Sequence, residues 1–153
     1  MDAAEAIARE AIRDVIARYN HAGDHGRLDA LVACFTADGV MDLEGVPPLR
    51  GREAIRRHLE GVERDLAAHT ARATLRHHVS SLLIELTGVD AANASSYFAT
   101  YTEIGLDHWG RYQDRLVRLD GAWLVSHRRV RVDGASPGSR MAVAHRVQAQ
   151  GSA

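Results

Sequence analysis

Near residue 73 the spacing of apolar residues changes, and that change limits what the chain can fold into. Before it, apolar side chains recur at three- and four-residue steps, as in helices with one buried face. After it they alternate, as in strands with one buried face. Helices followed by a run of strands predict an α+β domain. A strongly bent, mixed or antiparallel sheet packed on three N-terminal helices leaves a cavity between the layers, and such cavities bind ligands.

The elements follow from the pattern. A helix is predicted over 2–20, with Ile7, Ala11, Ile12, Val15, Ile16 and Tyr19 on one stripe and Gly23 as its stop. A second helix is predicted over 27–37, burying Leu28, Leu31, Val32 and Phe35. Asp38-Gly39 reads as a turn and 40–43 as a short strand, with Pro47-Pro48 and Gly51 marking a return. A third helix is predicted over 52–67, with Ile55, His58/Leu59, Val62 and Leu66 on its buried stripe and its charged face solvated. Four long strands follow over 73–87, 92–104, 109–119 and 122–133. Between them stand the turn signals Thr87-Gly88-Val89-Asp90, Leu106-Asp107-His108 and Asp120-Gly121. Residues 1–133 are read as the single domain. Residues 134–153, rich in Gly, Ser, Ala and Gln, are read as a tail, mobile or docked on a neighbouring subunit.

Composition removes several functions. The net charge of -1 over 153 residues gives no electrostatic case for nucleic acid or an anionic membrane. No apolar run is long enough to span a bilayer, and the acidic, amphipathic start does not read as a signal peptide. One cysteine, Cys34, allows no internal disulfide, so a cytoplasmic location is the expectation. All 19 basic residues counted as Lys or Arg are arginines. Lysine Schiff bases and a P-loop lysine are therefore excluded. No GxGxxG, GxSxG, HExxH or CxxC pattern occurs, and no metal site is expected.

The chemistry concentrates in Arg76-His77-His78-Val79-Ser80. Neighbours on a strand point to opposite faces, so only one of these two histidines can face the interior. A buried imidazole needs a partner, and Asp24, just past the first predicted helix, is the candidate. A neutral imidazole can take a proton at working pH. A carboxylate on its other nitrogen fixes the tautomer and stabilises the imidazolium. Tyr19 could donate a hydrogen bond to a carbonyl or leaving hydroxyl. The competing readings are a core histidine, a capping aspartate and a core tyrosine.

The order of elements resembles the nuclear-transport-factor-2-like fold, a cone-shaped barrel, and within it the SnoaL-like family. The resemblance rests on Tyr19-x-x-x-x-Asp24 before Gly26-Arg27-Leu28-Asp29-Ala30-Leu31, and on Phe35-Thr36-Ala37-Asp38-Gly39 before Gly51-Arg52-Glu53-Ala54-Ile55. It rests further on Arg76-His77-His78-Val79-Ser80, and on Gly110-Arg111-Tyr112-x-Asp114 with Asp120-Gly121-Ala122-Trp123-Leu124-Val125-x-x-Arg128. Its eliminating enzymes, such as scytalone dehydratase, bile acid 7α-dehydratase and hexachlorocyclohexane dehydrochlorinase, pair an aspartate after the first helix with a histidine on the first long strand. Those positions here are Asp24 and His77, and Tyr19 matches the tyrosine of the bile acid dehydratase branch.

The resemblance implies a cofactor-independent lyase or isomerase acting on a small hydrophobic, cyclic substrate. Tyr101, Arg128 and Phe35 are the candidate substrate contacts. Arg128 is also read as a partner of Asp114 or Glu103. Parity alone leaves open which face of strand 92–104 lines the cavity. A homodimer or homotrimer is expected. The alternative is a non-catalytic ligand-binding or assembly module of the same fold, including a dioxygenase β-type subunit. Fold alone does not choose between them.

Overall fold

A computed structural model describes residues 2–69 and 74–139. Its elements are α1 (Ala3–Asp24), α2 (Leu28–Ala33), β1 (Phe35–Leu43), β2 (Leu49–Arg50), α3 (Arg52–His69), β3 (Arg76–Gly88), β4 (Ala91–Thr102), β5 (Gly105–Leu119) and β6 (Ala122–Ala135). The strands form one mixed sheet in the order β2-β1-β6-β5-β4-β3. β1 runs parallel to β6 and the other pairs are antiparallel. The sheet is bent over the helices and does not close.

Helix α1 begins where the Asp2 carboxylate accepts the N–H of Glu5 at 2.8 Å, satisfying an otherwise unpaired donor. It runs through Gly23 to Asp24, longer than its sequence pattern predicts. Gly26, with φ +64°, makes the left-handed step that ends it. Ile12, Val15, Ile16, Tyr19 and Ala22 face the core, but Ile7, read as part of the same stripe, is 70% exposed. Helix α2 is only six residues long. Phe35, Thr36 and Ala37, read above as helical, open β1 instead, with Phe35 paired to Val125 of β6. The gain in sheet pairing overrides the weak local helical pattern.

The core lies between the helices and one sheet face. It joins Ile12 and Ile16 of α1, Leu31 of α2, Ile55 of α3, Ile84 of β3, Leu116 of β5 and Val125 of β6, with Phe35 and Met41 of β1. Cys34 is buried there, and burial pushes its thiol above the ordinary value, against the charge of Arg128. Among the described side chains of α3 only Ile55 is buried, while Leu59, Val62 and Leu66 look into a cavity.

Bulges decide which residues face that cavity. Ser81, with φ +52°, sits where the β3–β4 register shifts, so the inward set changes from His77 and Val79 to Leu82, Ile84 and Leu86. A shift between Arg115 and Leu116 leaves Ser126 as the extra residue of β6. Trp123 and Val125 face inward before it, and Arg128, Val130 and Val132 after it. The inward face of β4 carries Phe98 and Thr100, and Tyr97, Ala99 and Tyr101 point outward. Strand β6 also passes the boundary read at residue 133, and residues 136–139 turn back so that Ser139 is buried. The rest of the predicted tail, 140–153, lies outside the described residues.

Candidate functional site

The cavity lies between α1, α2 and α3 on one side and β1, β3, β4, β5 and β6 on the other, with a volume of about 400 Å³. That is within the range of small-molecule sites. Its walls are mostly apolar, including Leu28, Leu31, Met41, Leu59, Val62 and Phe98. The polar groups come from three sides: Tyr19 and Asn20 of α1, Arg57, His58, Glu63 and Asp65 of α3, and His77, His108 and Tyr112 of the sheet.

Asp24 and His77 form the central pair. Asp24 is the last residue of α1 rather than a loop residue, and His77 is the second residue of β3. The His77 ring Nδ1 lies 2.6 Å from Asp24 Oδ1, and the His77 backbone N–H reaches both carboxylate oxygens at 3.1 and 3.2 Å. One carboxylate therefore holds both the strand and the ring. The side chains are 10% and 18% exposed for Asp24 and His77. Burial works to raise the Asp24 carboxyl. The hydrogen bonds from the His77 ring and backbone, with the charges of His77 and Arg76, outweigh it and hold the carboxyl below the ordinary value. As a carboxylate, Asp24 accepts from Nδ1–H, which leaves Nε2 as the basic nitrogen. His78 points the other way, against the Tyr101 ring at 4.9 Å.

Tyr19 also lines the cavity, but its ring has a structural role as well. The Arg128 guanidinium lies 4.0 Å from its centroid and 4.4 Å from that of Tyr112, sandwiched between the two. Arg128 is fully buried and makes a two-pronged ion pair with Asp114, at 2.8 and 2.7 Å. Burial would lower its basicity, but Asp114 and the two tyrosines raise it, so it stays charged. Burial raises the Tyr19 phenol, with Arg128 opposing, so Tyr19 remains a donor at working pH.

The three candidate substrate contacts lie elsewhere. Arg128 sits behind the cavity wall, committed to Asp114. Phe35 is fully buried, edge-on to Tyr19 at 5.9 Å, outside the lining. Tyr101 is on the outer sheet face and 42% exposed, because the inward parity of β4 belongs to Phe98 and Thr100.

Other residues were not singled out by the sequence. Asn20 lines the cavity; its amide donates to the Ile16 carbonyl at 2.8 Å, and its own Oδ1 is buried with no partner among the described residues. Its place beside Tyr19 was the available signal. His58, read with Leu59 as part of the buried stripe of the third helix, and Glu63, on the face read as solvated, both look in from α3. Burial, helped by Glu60, raises the Glu63 carboxyl. His108 lines the cavity from β5, not from a loop. Among the described residues, no three His, Cys, Asp or Glu side chains converge as a metal site requires. Nor is any helix there long and apolar enough to cross a membrane.

A bent mixed sheet over three helices with a cavity between the layers defines the α+β class of nuclear-transport-factor-2-like and cystatin-like folds. Residues 4–129 match the SnoaL-like domain, and the chain belongs to that family. The fold is similar to Rv3472 of Mycobacterium tuberculosis, a protein of unknown function solved as a point variant. That match has a TM-score of 0.78 and 28% identity over 95% of this chain and 90% of that one. It is similar to a scytalone dehydratase-like protein of Novosphingobium aromaticivorans, with TM-score 0.77 and 23% identity over 89% and 91%. It is also similar to LinA, with TM-score 0.76 and 19% identity over 88% and 91%. No curated protein sequence matches it significantly.

Proposed function

We propose that the protein is a cofactor-independent lyase or isomerase for a small hydrophobic, cyclic molecule. One observation carries the reading: a His–Asp pair, 2.6 Å apart, opens on an apolar cavity of about 400 Å³. In this reading His77 Nε2 takes a proton from carbon next to a carbonyl. Asp24 holds the ring and stabilises the imidazolium formed. The Tyr19 hydroxyl donates to the carbonyl oxygen as charge develops on it. The leaving group departs from the neighbouring carbon, or the double bond migrates. An assembly module would be expected to fill its cavity with its own side chains, and this one is open.

The test is a panel of cyclic β-hydroxy and β-halo ketones, followed by enone absorbance. The wild type should turn some over. His77→Asn should lose about 10²- to 10⁴-fold in kcat/KM, and Asp24→Asn a comparable factor, as for a general base and its support. Turnover by His77→Asn at the wild-type rate would remove the dyad from the reaction.

The outer sheet face supports a second part of the proposal, a homodimer or homotrimer. Tyr97, Tyr101 and Trp109 are 59%, 42% and 38% exposed on neighbouring strands. An apolar aromatic patch of this kind is costly in water.

A further inference from the structure

Helix α1 borders two recesses, one on each side. Tyr19, Asn20 and Gly23 look into the cavity of the His–Asp pair. Asp14, Val15, Arg18, His21 and Ala22, on the other side of the helix, look onto a groove. This groove lies between α1, α2 and the β5–β6 turn, with a volume of about 550 Å³. The two recesses share no described residue. Small residues leave the groove its depth: Ala30 and Ala33 of α2, with Gly121 and Ala122 of the turn. Its floor is Val15, Ala22, Cys34 and Trp123, all buried.

The rim of the groove is polar, with an excess of positive charge. Besides the Cys34 thiol, its titratable groups are Asp14, Arg18, His21 and Arg27. Asp14 and Arg18 stand one helical turn apart and pair at 2.6 Å, which offsets both charges. Arg27 is the unbalanced group. It stands just before α2, its side chain does not cap that helix, and its guanidinium meets no acceptor among the described residues. A further cation stands behind α2, where Arg52 donates to the carbonyls of Phe35 at 2.9 Å and of Ala33 at 3.4 Å. This charge reaches the floor. Burial raises the Cys34 thiol, the charges of Arg128, Arg18 and Arg52 work against that rise, and Asp14 adds to it.

We propose that the groove is a second ligand site, for a small carboxylate carried on an apolar ring or short chain. The apolar part lies over Trp123 and the alanines. The carboxylate meets the fork of the Arg27 guanidinium, whose paired N–H groups match its two oxygens. Arg18 and His21 flank it from α1. The volume is in the range of small-molecule sites. A neutral molecule leaves Arg27 without a partner, and an amine meets two guanidiniums, so the groove selects by charge. The inference goes beyond the reaction assigned to His77 and does not depend on it, because α1 and α2 separate the groove from the dyad.

Trp123 reports on the groove directly. The sequence has two tryptophans, and Trp109 is exposed on the outer sheet face, so Trp109→Phe leaves Trp123 as the sole tryptophan. 4-Nitrobenzoate, whose nitroaromatic ring quenches a tryptophan that it touches, is titrated into this variant beside nitrobenzene and 4-nitrobenzylamine. The carboxylate should quench Trp123 along a saturating curve, with the neutral and cationic probes at least about fivefold weaker. Arg27→Gln changes a side chain without a partner, so the fold is kept; it should weaken 4-nitrobenzoate by about fivefold. Ala30→Leu, at an exposed position of α2, should fill the groove and abolish saturable quenching with the melting temperature unchanged. Equal curves for the three probes would reduce the groove to an apolar crevice and overturn the inference. Quenching by 4-nitrobenzoate that survives both Arg27→Gln and Ala30→Leu would overturn it too, because the probe would then sit elsewhere. So would quenching that rises linearly and never saturates.

Discussion

A single carboxylate at the end of α1 holds the ring and the backbone of His77, and this makes the pair sensitive to acid. The sign follows from the direction of the Asp24 shift. Its folded-state pKa is depressed, so its contribution to stability is present above the ordinary carboxylate pKa and is lost as pH falls through the folded value. Wild type should therefore lose its stability advantage over Asp24→Asn as pH falls from about 5. Denaturant midpoints measured across that range check this. Asp42, held low by Arg129 and Arg131 against its own burial, adds a similar loss to both proteins and cancels in the comparison. Tyr19 separates its two roles cleanly. Tyr19→Phe keeps the ring against Arg128 and deletes only the hydroxyl. It should cost about 100-fold in kcat on a turned-over ketone and leave the melting temperature nearly unchanged. A large fall in melting temperature without a kinetic effect would make Tyr19 a packing residue alone.

At the level of elements, bulges and close contacts place the site. Gly110 shows the tolerance. A Cβ built there would lie 2.0 Å from the Arg131 carbonyl oxygen and 2.9 Å from the Phe98 ring. Gly110→Ala should therefore destabilise by about 1–3 kcal/mol, read as a shift of the urea midpoint, because β5 must move from β6. Bulges also explain what the sequence conceals. The helix-to-strand switch and the two-residue turn at Asp120-Gly121 are local signals, and they are legible. Parity along a strand is not, once Ser81, Asp107 and Ser126 each insert a residue and reverse it. Tyr101 was therefore a fair candidate by pattern and lies on the outer face. His108 looked like part of a turn because Leu106-Asp107-His108 has turn composition; the turn is at Glu103-Ile104 and Asp107 is a bulge. That one of the two adjacent histidines faces inward was legible from strand parity; that it is His77 rather than His78 came from the resemblance to the SnoaL-like pattern.

At the scale of the whole molecule, the buried Arg128–Asp114 ion pair ties the sheet to α1. Arg128 on β6 meets Asp114 on β5 and lies between the rings of Tyr19 on α1 and Tyr112 on β5. Asp114→Ala leaves a buried guanidinium without its counter-charge. The cost should be about 3–5 kcal/mol, measured by denaturant unfolding. A cost below about 1 kcal/mol would mean that water reaches Arg128. The outer face carries the remaining expectation. If Tyr97 and Trp109 form the contact between copies, Trp109→Glu should convert a dimer or trimer to monomer in light scattering and leave the cavity chemistry intact. A wild-type monomer at micromolar concentration would remove the interface.

The most direct measurement concerns the dyad itself: the ¹⁵N chemical shifts of the His77 ring at alkaline pH, where the imidazole is neutral. The expected result is the tautomer with the proton on Nδ1, donated to Asp24, and a lone pair on Nε2. Asp24→Ala should return the ring to the Nε2–H form that free histidine prefers. A wild-type His77 already in the Nε2–H form would contradict the account, because the nitrogen facing the substrate would then have no lone pair to act as base.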